Sequence, residues 1–172
     1  MTPAKRLPLF IISGASGVGK STLCEILFQS ESDYVVMEGD LLWHEIYNTP
    51  EDDYQTYRKL WMRVCASISQ IGKPVVLCGC AVPVQYENQD ERGMFTDIHY
   101  LAVVCKGDQL EERMKKGRGI TDENRVINSL AFNRWLIENA GKTVPQITLL
   151  DTTDSAPEQA AEMIHEWILE RL

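Results

Sequence analysis

The chain has 172 residues, 44% of them hydrophobic and 24% charged, which suits one soluble domain with a buried core. Its 17 basic and 25 acidic residues leave a formal charge of −8, which repels nucleic acid, and the only dense basic stretch, from Arg113 to Arg118, is short. No apolar run reaches the length of a membrane span, and Met1 to Arg6 passes directly into an apolar run with no room for a signal peptide, so neither a nucleic-acid nor a membrane partner is expected.

The first predicted strand is the apolar run Leu7 to Ile12. Directly after it, Gly14-Ala15-Ser16-Gly17-Val18-Gly19-Lys20-Ser21 completes a G-x-x-x-x-G-K-[ST] loop, which leads into an amphipathic helix from Thr22. With Gly at about 7% of residues, a chain of this length matches the four fixed positions by chance about one time in a hundred, and the strand–turn–helix context lowers that further. Glycines let the backbone curl so that successive N–H groups converge on phosphate oxygens, and the helix adds its positive dipole end. Lys20 is placed to reach the outer phosphates and the Ser21 hydroxyl to ligate Mg²⁺. The match points to a nucleoside triphosphate and leaves the chemistry open.

A second strand, Tyr34 to Met37, ends in Glu38-Gly39-Asp40. Ligands of a parallel sheet lie beyond the carboxyl ends of its strands, so Asp40 should face the crevice of the phosphate loop. There it either orients or deprotonates an attacking hydroxyl, holds Mg²⁺ through water, or simply caps the helical segment that follows. Glu38 is a weaker candidate on the same side. The helical region at about 40–72, restarted at Thr49-Pro50 with Thr49 as cap, carries Trp43, Tyr47, Tyr54, Tyr57 and Trp61. These either stack on a planar substrate or line a helix face against the core, and Arg58 and Arg63 are candidate anchors for an anionic one.

The third strand, Pro74 to Cys78, precedes an irregular stretch around Gln85 to Gly93, and the fourth spans Ile98 to Val104. Cys78 and Cys80 read as strand residues sharing one face. The five cysteines together suit buried, reduced thiols and a cytoplasmic location. A helix from about Gly107 to Lys116 reaches a Gly-Arg-Gly break, and a longer one runs from about Asp122 to Asn139, with Gly141 as a left-handed terminator. Arg113, Lys115, Lys116, Arg118 and Arg125 around this break suit either a mobile lid over transferring phosphate or a solvated charge run. The last strand, Gln146 to Leu150, is followed by a helix opened by a capping box at Ser155 to Glu158, with Ala160, Met163, Ile164, Trp167 and Ile168 on its apolar face. His44, His99 and His165 show no metal-ligand spacing and read as structural or surface residues. The alternation predicts one α/β domain, a parallel sheet of about five strands covered on both faces.

On the phosphate loop, Gly39-Asp40, the Leu110-Glu111-Glu112-Arg113-Met114 pattern, the arginine-bearing break and Leu150-Asp151-Thr152-Thr153, the chain resembles the small P-loop kinases of the adenylate, shikimate and gluconate kinase type and their nucleoside-kinase-like relatives. The resemblance spans nearly the whole sequence and implies the three-layer α/β/α P-loop NTPase fold with a lid at about 114–122. It implies that Arg113 lies against the adenine, that Arg118 reaches the phosphates, and that Asp151, Thr152 and Thr153 read the adenine edge. It also gives Asp40 the acceptor hydroxyl. Adenylate kinases carry Gly-x-Pro-Arg after the third strand, where this chain has Gly79-Cys80-Ala81-Val82-Pro83-Val84-Gln85. No arginine is there to grip an acceptor phosphate, although Gln85 can hydrogen-bond an acceptor. A Walker-B carboxylate and the N-K-x-D guanine signature are both missing. The expectation is an ATP- and Mg²⁺-dependent kinase acting on a hydroxyl of a small molecule, first a nucleoside, with a nucleoside monophosphate, a sugar or an antibiotic as alternatives. Lys20, Asp40 and Arg118 would be catalytic, and Asp40, Trp43, Tyr47, Tyr57, Arg58 and Gln85 would bind the acceptor. A nucleotide-binding module without catalysis is the reading from another class.

Overall fold

The computed structural model describes residues 6–30, 33–42 and 49–172. Five strands, β1 (Leu9–Gly14), β2 (Val35–Glu38), β3 (Val75–Cys78), β4 (Ile98–Val104) and β5 (Ile147–Asp151), form one parallel sheet in the order β2-β3-β1-β4-β5. Six α-helices connect and cover them: α1 (Lys20–Gln29), α2 (Gln55–Ile68), the short α3 (Val84–Glu87), α4 (Gly107–Glu112), α5 (Glu123–Asn139) and α6 (Pro157–Leu169). The α/β class and five-stranded parallel sheet expected from the sequence are present.

The central strand explains why the sequence reads as it does. Side chains alternate across a strand, and in β1 both faces are covered. Phe10 and Ile12 join Leu27, Ile164 and Ile168 in one core, whereas Leu9 and Ile11 join Trp61, Met62 and Leu136 in the other. All six β1 residues are buried, and the run Leu9 to Ile12 is continuously apolar. Each large side chain so removed from water contributes about 2 kcal/mol. β5 lies at the sheet edge, and only Ile147 and Leu150 along it are buried.

Several local expectations change. Thr49 holds the N-cap position of a 3₁₀ turn, Pro50–Asp52, but its side chain makes no cap bond: its hydroxyl donates to Asp52, whose carboxylate accepts from the Gln55 and Thr56 amides at 3.0 Å and so caps α2. The hydroxyl bonds of Thr49 and Thr56 hold the Asp52 carboxyl down to about 2. Gly141 is not left-handed, because α5 tightens into a 3₁₀ turn, Ala140–Lys142, instead of stopping there. At α6 only half a capping box forms, the Ala156 amide donating to Gln159 Oε1, since the cap position holds an alanine with no acceptor. Met163 is half exposed and Ala161 takes its place on the buried face. Cys80 lies beyond the end of β3 and is exposed, while the other four cysteines are buried. His99 stacks on Phe10 and His165 bonds the Tyr34 hydroxyl, both structural, whereas His44 is outside the described residues. Among the described residues no helix is long and apolar enough to cross a membrane.

Candidate active site

The turn from β1 to α1 is built so closely that glycine is dictated at two positions. At Gly14 an added Cβ would lie 2.7 Å from the Val103 carbonyl oxygen and 2.9 Å from Val18 Cγ1. Gly17 has φ +86°, and its added Cβ would overlap Met114 Cγ. The first turn of α1 begins at Lys20 with no side-chain cap, leaving its leading amides for a ligand. Lys20 curls over the loop, with Nζ donating to the Gly14 and Ala15 carbonyls at 2.6 and 2.8 Å. An N–H cradle, a helix N-terminus and an ammonium group fit a polyphosphate.

This cradle opens into a cavity of about 1060 Å³ at the carboxyl ends of the strands. Ser16 to Leu23 form one wall, Glu38, Gly39 and Asp40 with Tyr57 and Trp61 another, and Arg113, Arg118 and Arg125 a third. Gly14 and Ala15 are buried behind the loop's open face. No family model and no curated protein matches the sequence. Solved structures do. The chain is similar to a gluconokinase from Sinorhizobium meliloti 1021 (16% identity, 97% of this chain and 99% of that one, TM-score 0.63). It is similar to a sugar kinase from Janibacter sp. HTCC2649 (19% identity, 95% of each chain, TM-score 0.65) and to the Deinococcus radiodurans tunicamycin resistance protein (16% identity, 95% and 96%, TM-score 0.66). The chain has the fold of the small P-loop kinases.

Within this fold, Arg113 ties the loop after β1 to the loop after β5. Its Nη1 donates to the Val18 carbonyl at 3.0 Å and its Nη2 to the Thr152 carbonyl at 3.2 Å. Thr152 is buried and lines the cavity. Asp151 and Thr153 do not: the Asp151 carboxylate accepts from the Thr153 amide and hydroxyl, which holds its carboxyl below the usual range. Their side chains shape the loop, in which the Thr152 N–H donates to the Val104 carbonyl at 2.9 Å and the Thr152 carbonyl accepts from Arg113.

The basic segment divides by function. Lys115 pairs with Glu111 at 2.8 Å and Glu123 at 3.2 Å, and Lys116 pairs with Glu112 at 3.0 Å. Only the arginines of the cluster line the cavity. A π-helical turn, Arg113–Gly117, follows α4, with Met114 fully buried against Gly17 and left-handed Gly119 beyond.

Asp40 lies on the cavity wall in the 3₁₀ turn Gly39–Leu42 after β2. Tyr57 and Trp61 line the cavity too, but their polar atoms are committed: Tyr57 Oη donates to the Gly39 carbonyl at 2.5 Å and Trp61 Nε1 to the same oxygen at 2.9 Å. Arg58, almost fully buried, lies 3.9 Å from Asp53 and off the cavity wall, and Arg63 pairs with Glu91 at 2.9 Å. Gln85 also lies off the wall, its Oε1 accepting from the Val82 amide. Trp43 and Tyr47 fall outside the described residues.

Tyr86 and Cys80 line the cavity and were not singled out as site residues in the sequence. Cys80 Sγ donates to the Gly14 carbonyl at 3.2 Å. Its position just past the third strand was the available signal. No group of three or more His, Cys, Asp or Glu side chains forms a metal cluster among the described residues. Ser21 lines the cavity beside the glycine-rich loop.

Proposed function

We propose that the protein is an ATP-dependent phosphotransferase that moves a phosphoryl group to a hydroxyl of an uncharged small molecule. The observation that carries this reading is that the phosphate loop, three arginines and the Asp40 carboxylate share the wall of one cavity. Phosphoryl transfer needs little covalent chemistry from the protein, only positioning and charge stabilisation.

In this reading the loop amides and Lys20 hold the donor's phosphates, and Arg113 and Thr152 flank its base. Ser21, with Asp40 through water, would hold Mg²⁺, which when bound neutralises charge on the phosphates. The Asp40 carboxylate orients the acceptor hydroxyl and takes its proton. Arg118, on the segment at about 114–122 acting as a lid, faces the developing charge.

Two observations bear on the acceptor. The described residues of the acceptor wall place no arginine where an acceptor phosphate would be gripped, which supports an uncharged acceptor over a nucleoside monophosphate. The nucleoside reading rested on five aromatics, and Tyr57 and Trp61 are occupied with Gly39, so its support narrows. Likeness to a gluconokinase and a sugar kinase gives a sugar-like polyol equal standing.

The test is ADP release with Mg·ATP over a panel of nucleosides, neutral sugars, aldonates and nucleoside monophosphates. Stimulation by a neutral hydroxyl compound, abolished in Asp40→Asn, is the expected result. Stimulation by nucleoside monophosphates alone overturns the uncharged acceptor. No stimulation by any member favours a nucleotide-binding module.

A further inference from the structure

The peptide bond joining Gly39 to Asp40 is gripped by its carbonyl oxygen. Tyr57 and Trp61 lie one helical turn apart on α2, so a single face of that helix brings both donors to one acceptor. A carbonyl oxygen has two lone pairs, and here both are used. Because the peptide unit is planar, Gly39 C=O and Asp40 N–H belong to one rigid plate. Fixing the oxygen therefore fixes the axis from which the Asp40 side chain departs.

The Gly39 Cα is closely packed as well. An added Cβ on Gly39 would lie 3.0 Å from the Cys78 carbonyl oxygen and 3.3 Å from Tyr57 Oη, and the preceding Glu38 is in register with Cys78 on β3. Gly39 is thus packed between α2 and the end of β3, with its carbonyl held from α2. Trp61 is 1% exposed, so water does not compete for its N–H. Burial, with the Asp40 charge adding, pushes the Tyr57 phenol up to about 12, so it remains a donor at neutral pH.

We propose that Tyr57 and Trp61 are positioning residues for Asp40, acting on phosphoryl transfer through the Gly39–Asp40 peptide and not by touching the acceptor. This rests on the role given to Asp40 above. It reassigns Tyr57 from acceptor contact to alignment, and it gives the cavity's aromatic wall a purpose independent of what the acceptor is.

The test uses the full chain with Tyr57→Phe, which removes only the hydroxyl, Trp61→Phe, which removes the indole N–H, and the pair combined. ADP release from Mg·ATP is measured with the acceptor selected by the panel and with water alone as acceptor. Each single variant should lower kcat by about threefold, since one donor still holds the oxygen, and the double variant by about thirtyfold. The KM for ATP should stay within about twofold, as the phosphate cradle is untouched.

The decisive arm repeats the series in an Asp40→Asn background, where the lock has no carboxylate to aim and further loss should be under about twofold. Equal losses in both backgrounds, an unchanged kcat in the double variant, or a raised acceptor KM with kcat intact each overturn the proposal. If Asp40→Asn itself keeps full turnover, the role of Asp40 falls and takes the lock with it. If Asp40→Asn loses turnover and the double variant does not, only the lock is refuted. Should Trp61→Phe fail to fold, Tyr57→Phe in the two backgrounds carries the same comparison.

Discussion

The two ends of the cavity are organised by opposite means. At the phosphate end the chain itself is the binding surface: a tight glycine turn, buried Ala15 and the first turn of α1, all within residues 14–22. At the other end the Asp40 carboxylate sits on a short 3₁₀ turn whose first carbonyl, that of Gly39, accepts from side chains reaching in from α2. A backbone site is rigid because its geometry is covalent and local. A side-chain-held site can be retuned by single substitutions, which is how one phosphate-binding fold serves many acceptors.

The comparison breaks most readily at Lys20. Lys20→Ala removes the ammonium from the cradle and should weaken binding of a non-hydrolysable ATP analogue by about a hundredfold in calorimetry, as loss of a charge-assisted phosphate contact does. An affinity within threefold of the parent would mean the amides alone carry the phosphates. Gly17→Ala comes next. Its methyl collides with Met114 in a left-handed backbone, so a stability loss of about 2–3 kcal/mol should appear in denaturant titration, with weaker analogue binding.

Arg113→Ala cuts the tie between the phosphate loop and the Thr152 loop. A loss of about tenfold in analogue affinity is expected, larger than for Arg118→Ala, which bonds neither loop. Reversal of that order would make the lid arginine the main ground-state contact. Cys80 sharpens the boundary between the two ends. As the exposed thiol beside Gly14 it should react with iodoacetamide at least about tenfold faster than the four buried cysteines and be protected by the ATP analogue. Unprotected labelling would place the nucleotide away from the loop's β3 side.

The smallest effect is a pH effect on α2. Asp52 has a depressed carboxyl, so its capping contribution is complete above the unfolded value near 4 and is lost as pH falls toward about 2. Hydrogen exchange of the α2 amides should therefore quicken, relative to α1, between pH 4 and 2, and Asp52→Asn should remove that difference. An equal pH response in the variant would assign the acid sensitivity elsewhere.

Much of this molecule was legible without its fold. The phosphate loop is contiguous, so one stretch of sequence carries its whole geometry, and strands buried on both faces declare themselves as apolar runs. The acceptor wall was less legible. Five aromatics at near-helical spacing predict a helix face but not what that face meets, and the polar atoms of Tyr57 and Trp61 meet the Gly39 carbonyl. Lys115, Lys116 and Arg118 look alike as a basic run, and only their neighbours on α4 and α5 separate the paired lysines from the arginine on the cavity wall.

By itself, then, the sequence determined the α/β layering and the anion cradle, because both follow from periodicity and local backbone geometry. Tertiary structure alone decided which distant residues share a wall. Arg113 meets Val18 across 95 residues and Trp61 meets Gly39 across 22, contacts made by the order of strands and the face each helix presents. No local pattern encodes them, since they arise only when separate elements bury their apolar faces against the same sheet.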